Sequence, residues 1–270
     1  MALSFEQLLI IDEVIEAKGW SEKKNRLGGN INDVAFQLFS LTTTEEQFAL
    51  ITHIIKSYFW CTDYYDHCSE IARRITGAFK GEKIAIIPIS DSKQKIKSGH
   101  SVVYEISCFL DKSDFADLKT LESLSSIKNN VNEYSIIVVD DFVGSGTQFR
   151  KFSRRSIANF GIHPADIYLY SIAMMERARI RIDGFCYSAS TCFEFRRALS
   201  DDTDLNLQMD ALDVYAQIES LAVVGKDYVQ GYLKSEALVS MKKTPNNTLP
   251  IFWCDTSTSG SSWPAMFPRN

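Results

Sequence analysis

Ile136-Ile137-Val138-Val139-Asp140-Asp141-Phe142-Val143-Gly144-Ser145-Gly146-Thr147-Gln148 is the stretch on which the reading of the whole chain turns. Its four leading residues are apolar and β-branched, the composition of a short buried strand. Two carboxylates follow where that strand is expected to leave its sheet, and a Gly-Ser-Gly-Thr loop then opens a helix. In open parallel sheets, ligands bind outside the carboxyl ends of the strands. Amides of residues 144–148, at the positive end of a helix, make such a spot an anion site, and glycines let the backbone approach a phosphate closely. Adjacent carboxylates do not favour the same phosphate. They suit a neighbouring neutral diol, such as ribose hydroxyls, or an associated Mg2+. The blander reading is an acidic turn between strand and helix with a glycine-rich N-cap.

Downstream, Thr147–Phe160 reads as an amphipathic helix ended by Gly161, then a strand at Ile167–Ala173, a helix at Met174–Ile182 and a strand at Phe185–Ser190. Upstream, Ile84–Ile89 is an apolar run closed by Pro88, Ser90 and Asp91, and reads as a buried strand. A polar loop, Asp91 to His100, leads to a helix from about Ser101 to Leu110. A second helix is predicted over Phe115–Ile127, where Leu118, Leu121, Leu124 and Ile127 fall at helical spacing. Alternating strands and helices predict an α/β fold with a parallel, helix-covered sheet.

The first eighty residues read as helices. Ser4 with Gln7, and Thr44 with Gln47, have capping-box spacing. Gly28, Gly29 and Asn30 mark a turn, and a third helix is expected over Tyr64–Phe79. Beyond residue 200 the pattern gives one helix near Met209–Val223 and an irregular tail. Its aromatics Phe252, Trp253, Trp263 and Phe267 are too large to leave exposed and are expected to dock on the core. The chain thus divides into an N-terminal helical segment (1–82), an α/β core (83–200) and a C-terminal helix with an aromatic cap (201–270).

The chain has 270 residues, enough for one large domain or up to two small ones at about 100–200 residues per domain. Hydrophobic residues make up 45% and charged residues 23%, the balance of a folded globular protein. A net charge of −5 argues against electrostatic nucleic-acid binding by the whole molecule. A local basic stripe, Arg150, Lys151, Arg154 and Arg155, reads as a solvated helix face or a patch for a nucleic acid or acidic partner. The six cysteines form no CxxC pair and the four histidines are scattered, so no metal site is expected and the thiols read as reduced, in a cytoplasmic protein. No apolar stretch approaches the ~18 residues of a membrane span, and the N-terminus lacks the basic region of a secretory signal.

Residues 136–148 resemble the phosphoribosyl diphosphate signature of type I phosphoribosyltransferases. The resemblance implies that Asp140 and Asp141 hold the ribose 2′ and 3′ hydroxyls as the catalytic acidic pair. It also implies that Val143, Gly144, Ser145, Gly146, Thr147 and Gln148 wrap the 5′-phosphate. Ser145 stands at the family's Thr and Gly146 at its glycine. Gln148 replaces a final Thr or Ser, with Thr147 one position earlier as a substitute. Lys97-Ser98-Gly99, just before a helix, matches the place of the family's pyrophosphate loop. Mg2+ arriving with a diphosphate ligand is the cofactor this implies, with no metal held by the protein alone.

Salvage enzymes of this type carry a mobile β-hairpin between these two elements, whereas residues 111–134 read as helical. Without a lid, an oxocarbenium-like transition state is open to water. The wording Asp141-Phe142-Val143-Gly144-Ser145-Gly146 is instead similar to phosphoribosyltransferase-like proteins of bacterial conflict systems, including those accompanying retron reverse transcriptases. The tail is similar too, in Thr244-Pro245-Asn246-Asn247-Thr248-Leu249-Pro250-Ile251-Phe252-Trp253, Trp263 and Phe267-Pro268-Arg269. Three readings follow. One is an antiphage effector or toxin that binds or processes a nucleotide, by glycosyl transfer or glycosidic-bond cleavage if it is active. Another is a nucleobase transferase using phosphoribosyl diphosphate, and the third a non-catalytic nucleotide sensor. The first implies a nucleoprotein assembly with a reverse transcriptase, its DNA and RNA and a DNA-binding protein, away from membranes. His100 is the nearest candidate base in sequence, although a lone histidine is commonly structural.

Overall fold

The computed structural model describes residues 3–89 and 98–269. In chain order its elements are helices α1 (Phe5–Ala17), α2 (Ile31–Ser40) and α3 (Glu45–Ser57), strand β1 (Phe59–Trp60), helix α4 (Tyr64–Phe79), strand β2 (Lys83–Pro88), helix α5 (Ser98–Phe109) and strands β3 (Asp117–Thr120) and β4 (Ser135–Val143). Helix α6 (Thr147–Phe160), strand β5 (Ile167–Met175), helix α7 (Glu176–Ile182), strand β6 (Ser188–Phe195), helices α8 (Thr203–Gln208) and α9 (Ala211–Glu219) and strand β7 (Val239–Ser240) follow. The chain groups into two compact units, one of residues 62–195 and one of residues 1–61 with 196–270. These boundaries differ from the 1–82, 83–200 and 201–270 division drawn on sequence landmarks, because α4 groups with the sheet and the tail with the N-terminal helices.

The unit of residues 62–195 holds a five-stranded sheet in the order β3-β2-β4-β5-β6, every pair parallel. Strand β4 lies at its centre with residues 136–143 all buried, as expected for a strand covered on both faces. The chain runs from β2 outward to β3, then returns to β4 and proceeds through β5 to β6. Adjacent strands β2 and β4 therefore send their connections in opposite directions, which opens a crevice at their carboxyl ends.

Several predicted elements move. Phe115–Ile127 is not a helix: Asp117–Thr120 pairs with Lys83–Ile86 as an edge strand, followed by short 3-10 turns at Leu124–Ile127 and Val131–Glu133. The Ser-rich sequence explains the difference, since such side chains bond to nearby backbone and compete with helix. Ser123 Oγ accepts from the Ser125 N–H at 3.2 Å, and Ser126 Oγ donates to the Ser123 carbonyl at 2.8 Å. Leu124 and Ile127 are buried by those turns, so helical spacing arose without a helix. The segment does not supply a β-hairpin either, because β3 runs parallel to β2. Helix α5 begins at Ser98, three residues earlier than read. Strand β4 continues through the acidic pair to Val143, so the carboxylates lie within the strand and not in a loop beyond it. Strand β5 extends to Met175, and β6 lies at Ser188–Phe195 instead of Phe185–Ser190. Gly184, with φ +75°, and the bond from the Phe185 N–H to the Ile182 carbonyl turn the chain before β6 starts.

The unit of residues 1–61 and 196–270 is mainly helical. Ser4 and Gln7 form a reciprocal capping box on α1. Thr44 caps α3, but the Gln47 side chain accepts from the Thr43 N–H and so does not complete a box. Strands β1 and β7 form a two-residue parallel pair. Phe252, Trp263 and Phe267 are buried, with the Phe267 ring stacked on Tyr58 at 4.4 Å and edge-on to Trp20 at 5.3 Å. The tail thus closes on the N-terminal helices. Among the described residues all six cysteines are free thiols, and no described helix is long and apolar enough to cross a membrane.

Candidate functional site

The carboxyl end of β4 meets the start of α5. Asp140 and Asp141 are 8% and 6% exposed, and carboxylates so buried need hydrogen-bond donors. The Ser98 hydroxyl donates to Asp141 Oδ1 at 2.7 Å, and the Phe142 N–H donates to the same oxygen at 2.9 Å. Asp140 Oδ1 accepts from the Asp141 N–H at 3.0 Å. Gly99 lies so close that a Cβ there would sit 3.2 Å from the Val139 carbonyl oxygen, 3.3 Å from Asp140 Oδ1 and 3.3 Å from Pro88 Cβ. The missing side chain at Gly99 lets the first turn of α5 rest closely on the strand end, and the positive end of that helix favours the acidic pair.

Past Val143, residues 144–146 turn the chain into α6. Gly146 has φ +70°, and a Cβ there would lie 2.9 Å from Ile182 Cγ2 and 3.2 Å from the Ala178 carbonyl oxygen. Glycine is demanded both by the left-handed backbone and by the approach of α7. Ser145 is buried and its hydroxyl donates to Thr147 Oγ1 at 3.2 Å. Gly146 at the N-cap has no side chain to cap α6; Ser145 Oγ accepts from the Thr147 N–H at 3.4 Å, and the following first-turn amides keep the anion-binding capacity of a helix N-terminus. Val143 and Gly144 are buried, Thr147 is half-buried and Gln148 exposed.

The structure brings Ser98 and Gly99 against Asp140 and Asp141. Lys97, the third residue of that loop, lies outside the described residues. His100 sits in the first turn of α5. The basic stripe is not simply solvated: the Arg150 and Arg154 guanidinium groups lie 4.9 and 5.2 Å from the centre of the Phe185 ring, within cation–π range.

One feature escaped the sequence reading. Asp140 is in register with Ser171 of β5, and Ser171 with Thr191 of β6. The fully buried Ser171 hydroxyl donates to Thr191 Oγ1 at 3.2 Å, and Arg74 of α4 donates to the Thr191 carbonyl at 2.9 Å. A polar row thus crosses three strands at the level of the acidic pair. Its signal was the lone serine in the otherwise apolar core of Ile167–Met175.

A family model described as PRTase-CE matches residues 36–269. Among solved structures, a hypothetical protein from Neisseria gonorrhoeae with bound ppGpp is similar at 11% identity and a TM-score of 0.36, over 57% of this chain and 94% of that one. No curated protein matches.

Proposed function

The chain belongs to the PRTase-CE family, and on that premise we propose that its crevice binds the ribose 5-phosphate part of a nucleotide or phosphoribosyl diphosphate-like ligand. One observation carries this reading: two helix N-termini and a buried acidic pair meet at the carboxyl ends of β2 and β4. Anion-binding amides and diol-binding carboxylates are the two chemistries that a sugar phosphate needs. Asp140 and Asp141 take the ribose hydroxyls, and residues 143–148 the phosphate. Ser98 and Gly99 flank the place of a second phosphate. Among the described residues no three metal-ligating side chains cluster, and one Asp141 oxygen already accepts two hydrogen bonds. Mg2+ enters this reading as the companion of a diphosphate, held through the ligand, as the family resemblance implies.

In the cell, the protein acts as an effector of a bacterial antiphage system of the retron type, within an assembly. The similarity of residues 141–146 and of the tail to conflict-system proteins supports this. Calorimetry with phosphoribosyl diphosphate, nucleoside monophosphates and dinucleotides, with and without Mg2+, tests the ligand. Expression of the chain alone tests the role: growth arrest, relieved by a cognate partner and abolished by Asp140→Asn with Asp141→Asn, is expected. Harmless expression together with pyrophosphate release from phosphoribosyl diphosphate and a free base would identify a salvage enzyme instead.

A further inference from the structure

Helices α1, α3 and α8, all in the unit of residues 1–61 and 196–270, enclose a groove of about 900 Å³. Its floor is apolar, with Ile10, Val14, Phe48, Ala49, Leu205 and Met209. One end is cationic. Lys18 caps the carboxyl end of α1 and Lys56 lies in the last turn of α3. The Lys18 ammonium donates to the Lys56 carbonyl at 2.9 Å, and among the described residues neither lysine has a carboxylate within ion-pair distance. The Lys18 ammonium also lies 5.4 Å from the centre of the Trp20 ring, and partial burial lowers its pKa; among the described residues no carboxylate balances its charge.

Along its exposed side, α1 carries the complementary pattern. Glu6, Leu9, Glu13 and Glu16 are spaced by three, four and three residues, one helical face, and Leu9 is 47% exposed. Glu13 borders the groove itself. An acidic, apolar-centred helix row thus runs beside an apolar groove with a lysine end. The acidic row also disfavours an anionic membrane as the occupant.

We propose that this groove receives α1 of a second copy of the chain, in a two-fold dimer. Antiparallel pairing of the two α1 helices sets Leu9 of each copy over Val14 and Phe48 of the other, and Glu6 beside Lys18 and Lys56. Both halves are then satisfied at once, as an isologous interface requires. Steering and register come from the charges, and most of the affinity from Leu9 and the floor.

Sedimentation velocity of the full chain tests this. Twice the 30.6 kDa chain mass is expected, with Leu9→Arg, an exposed change, weakening association by about tenfold or more. Two further variants reverse charge: Lys18→Glu with Lys56→Glu, and Glu6→Lys with Glu13→Lys. Each alone is expected to be monomeric, and an equimolar mixture of the two to dimerise, because charges oppose correctly only between unlike copies. Circular dichroism confirms folding of each variant. A wild type that stays monomeric overturns the proposal and leaves the groove to another partner; so does a dimer indifferent to all three variants. Neither result bears on the sugar-phosphate crevice, which calorimetry tests separately.

Discussion

The Ser98 hydroxyl is 2.7 Å from Asp141 Oδ1, which ties the first residue of α5 to the second carboxylate of β4. The bond joins two residues 43 positions apart in sequence and holds the acidic side chain in one orientation. Because Ser98 is itself exposed, the expected cost of Ser98→Ala is at the low end for a hydrogen bond, about 0.5–1.5 kcal/mol. Urea unfolding measures it. Asp141 keeps its bond from the Phe142 N–H in this variant, so ligand affinity should fall less than in Asp141→Asn. An equal or larger loss in Ser98→Ala would make the serine itself a ligand contact.

Replacing both Asp140 and Asp141 with Asn removes the charge but nearly preserves shape. Charge-assisted hydrogen bonds are worth about 1.5–3 kcal/mol each, so the affinity for phosphoribosyl diphosphate should fall by a few kcal/mol. Folding should survive, because Asn oxygens still accept from the Asp141 and Phe142 N–H groups. Calorimetry showing equal affinity in the wild type and the double variant would take the acidic pair out of the site.

Two glycines with nearly the same backbone separate strain from crowding. Gly146 and Gly161, at the two ends of α6, have φ +70° and +68°. A Cβ at Gly161 meets nothing within 4 Å, whereas one at Gly146 meets Ile182 at 2.9 Å. Gly161→Ala should therefore cost only the left-handed backbone term of about 1–2 kcal/mol. Gly146→Ala should cost that plus a displacement of α7, typically another 1–3 kcal/mol for overpacking. Equal losses of stability for the two variants in thermal unfolding would mean that α7 yields freely.

The central strand, both flanking helices and the acidic pair were legible because their signals are local: a β-branched run, a glycine at each end of α6, adjacent carboxylates. The Ser98–Asp141 contact was not legible: each motif can be read by itself, but the bond between them is a tertiary property. Residues 111–134 misled because side chains at helical spacing divide between an edge strand, which holds Leu118, and a serine-held turn, which buries Leu124 and Ile127. The Ser171–Thr191 row was hidden because register between strands is a tertiary property. Likewise, the tail's aromatics announce that they are buried but not against what, and Trp20 and Tyr58 sit about two hundred residues away in sequence.

Strand β6 ends the strand order, and an unprotected edge invites association with other strands. Two arginines occupy its carbonyls: Arg74 donates to Thr191 at 2.9 Å, and Arg179 to Ala189 at 2.6 Å. Arg74 is held in turn by Glu70, whose carboxyl is drawn down from its usual value near 4.5 to about 2 by hydrogen bonds from Arg73 and then Arg74. A carboxyl whose pKa is lower in the folded chain adds stability above its ordinary pKa, and that stability is lost as pH falls through the folded value. The window is thus pH 4.5 down to 2. NMR titration of the Glu70 carboxyl should give a midpoint near 2 in the wild type. The midpoint should rise partway in Arg74→Ala and return to the ordinary range when Arg73→Ala is added. Light scattering should show faster aggregation of Arg74→Ala and Arg179→Ala, and faster still of the two combined, while Arg73→Ala behaves like the wild type because its side chain bonds Glu70 and not the edge. A wild-type midpoint near 4.5 would dismiss the arginine clamp, and an unchanged aggregation rate in the combined variant would dismiss its role in guarding the edge.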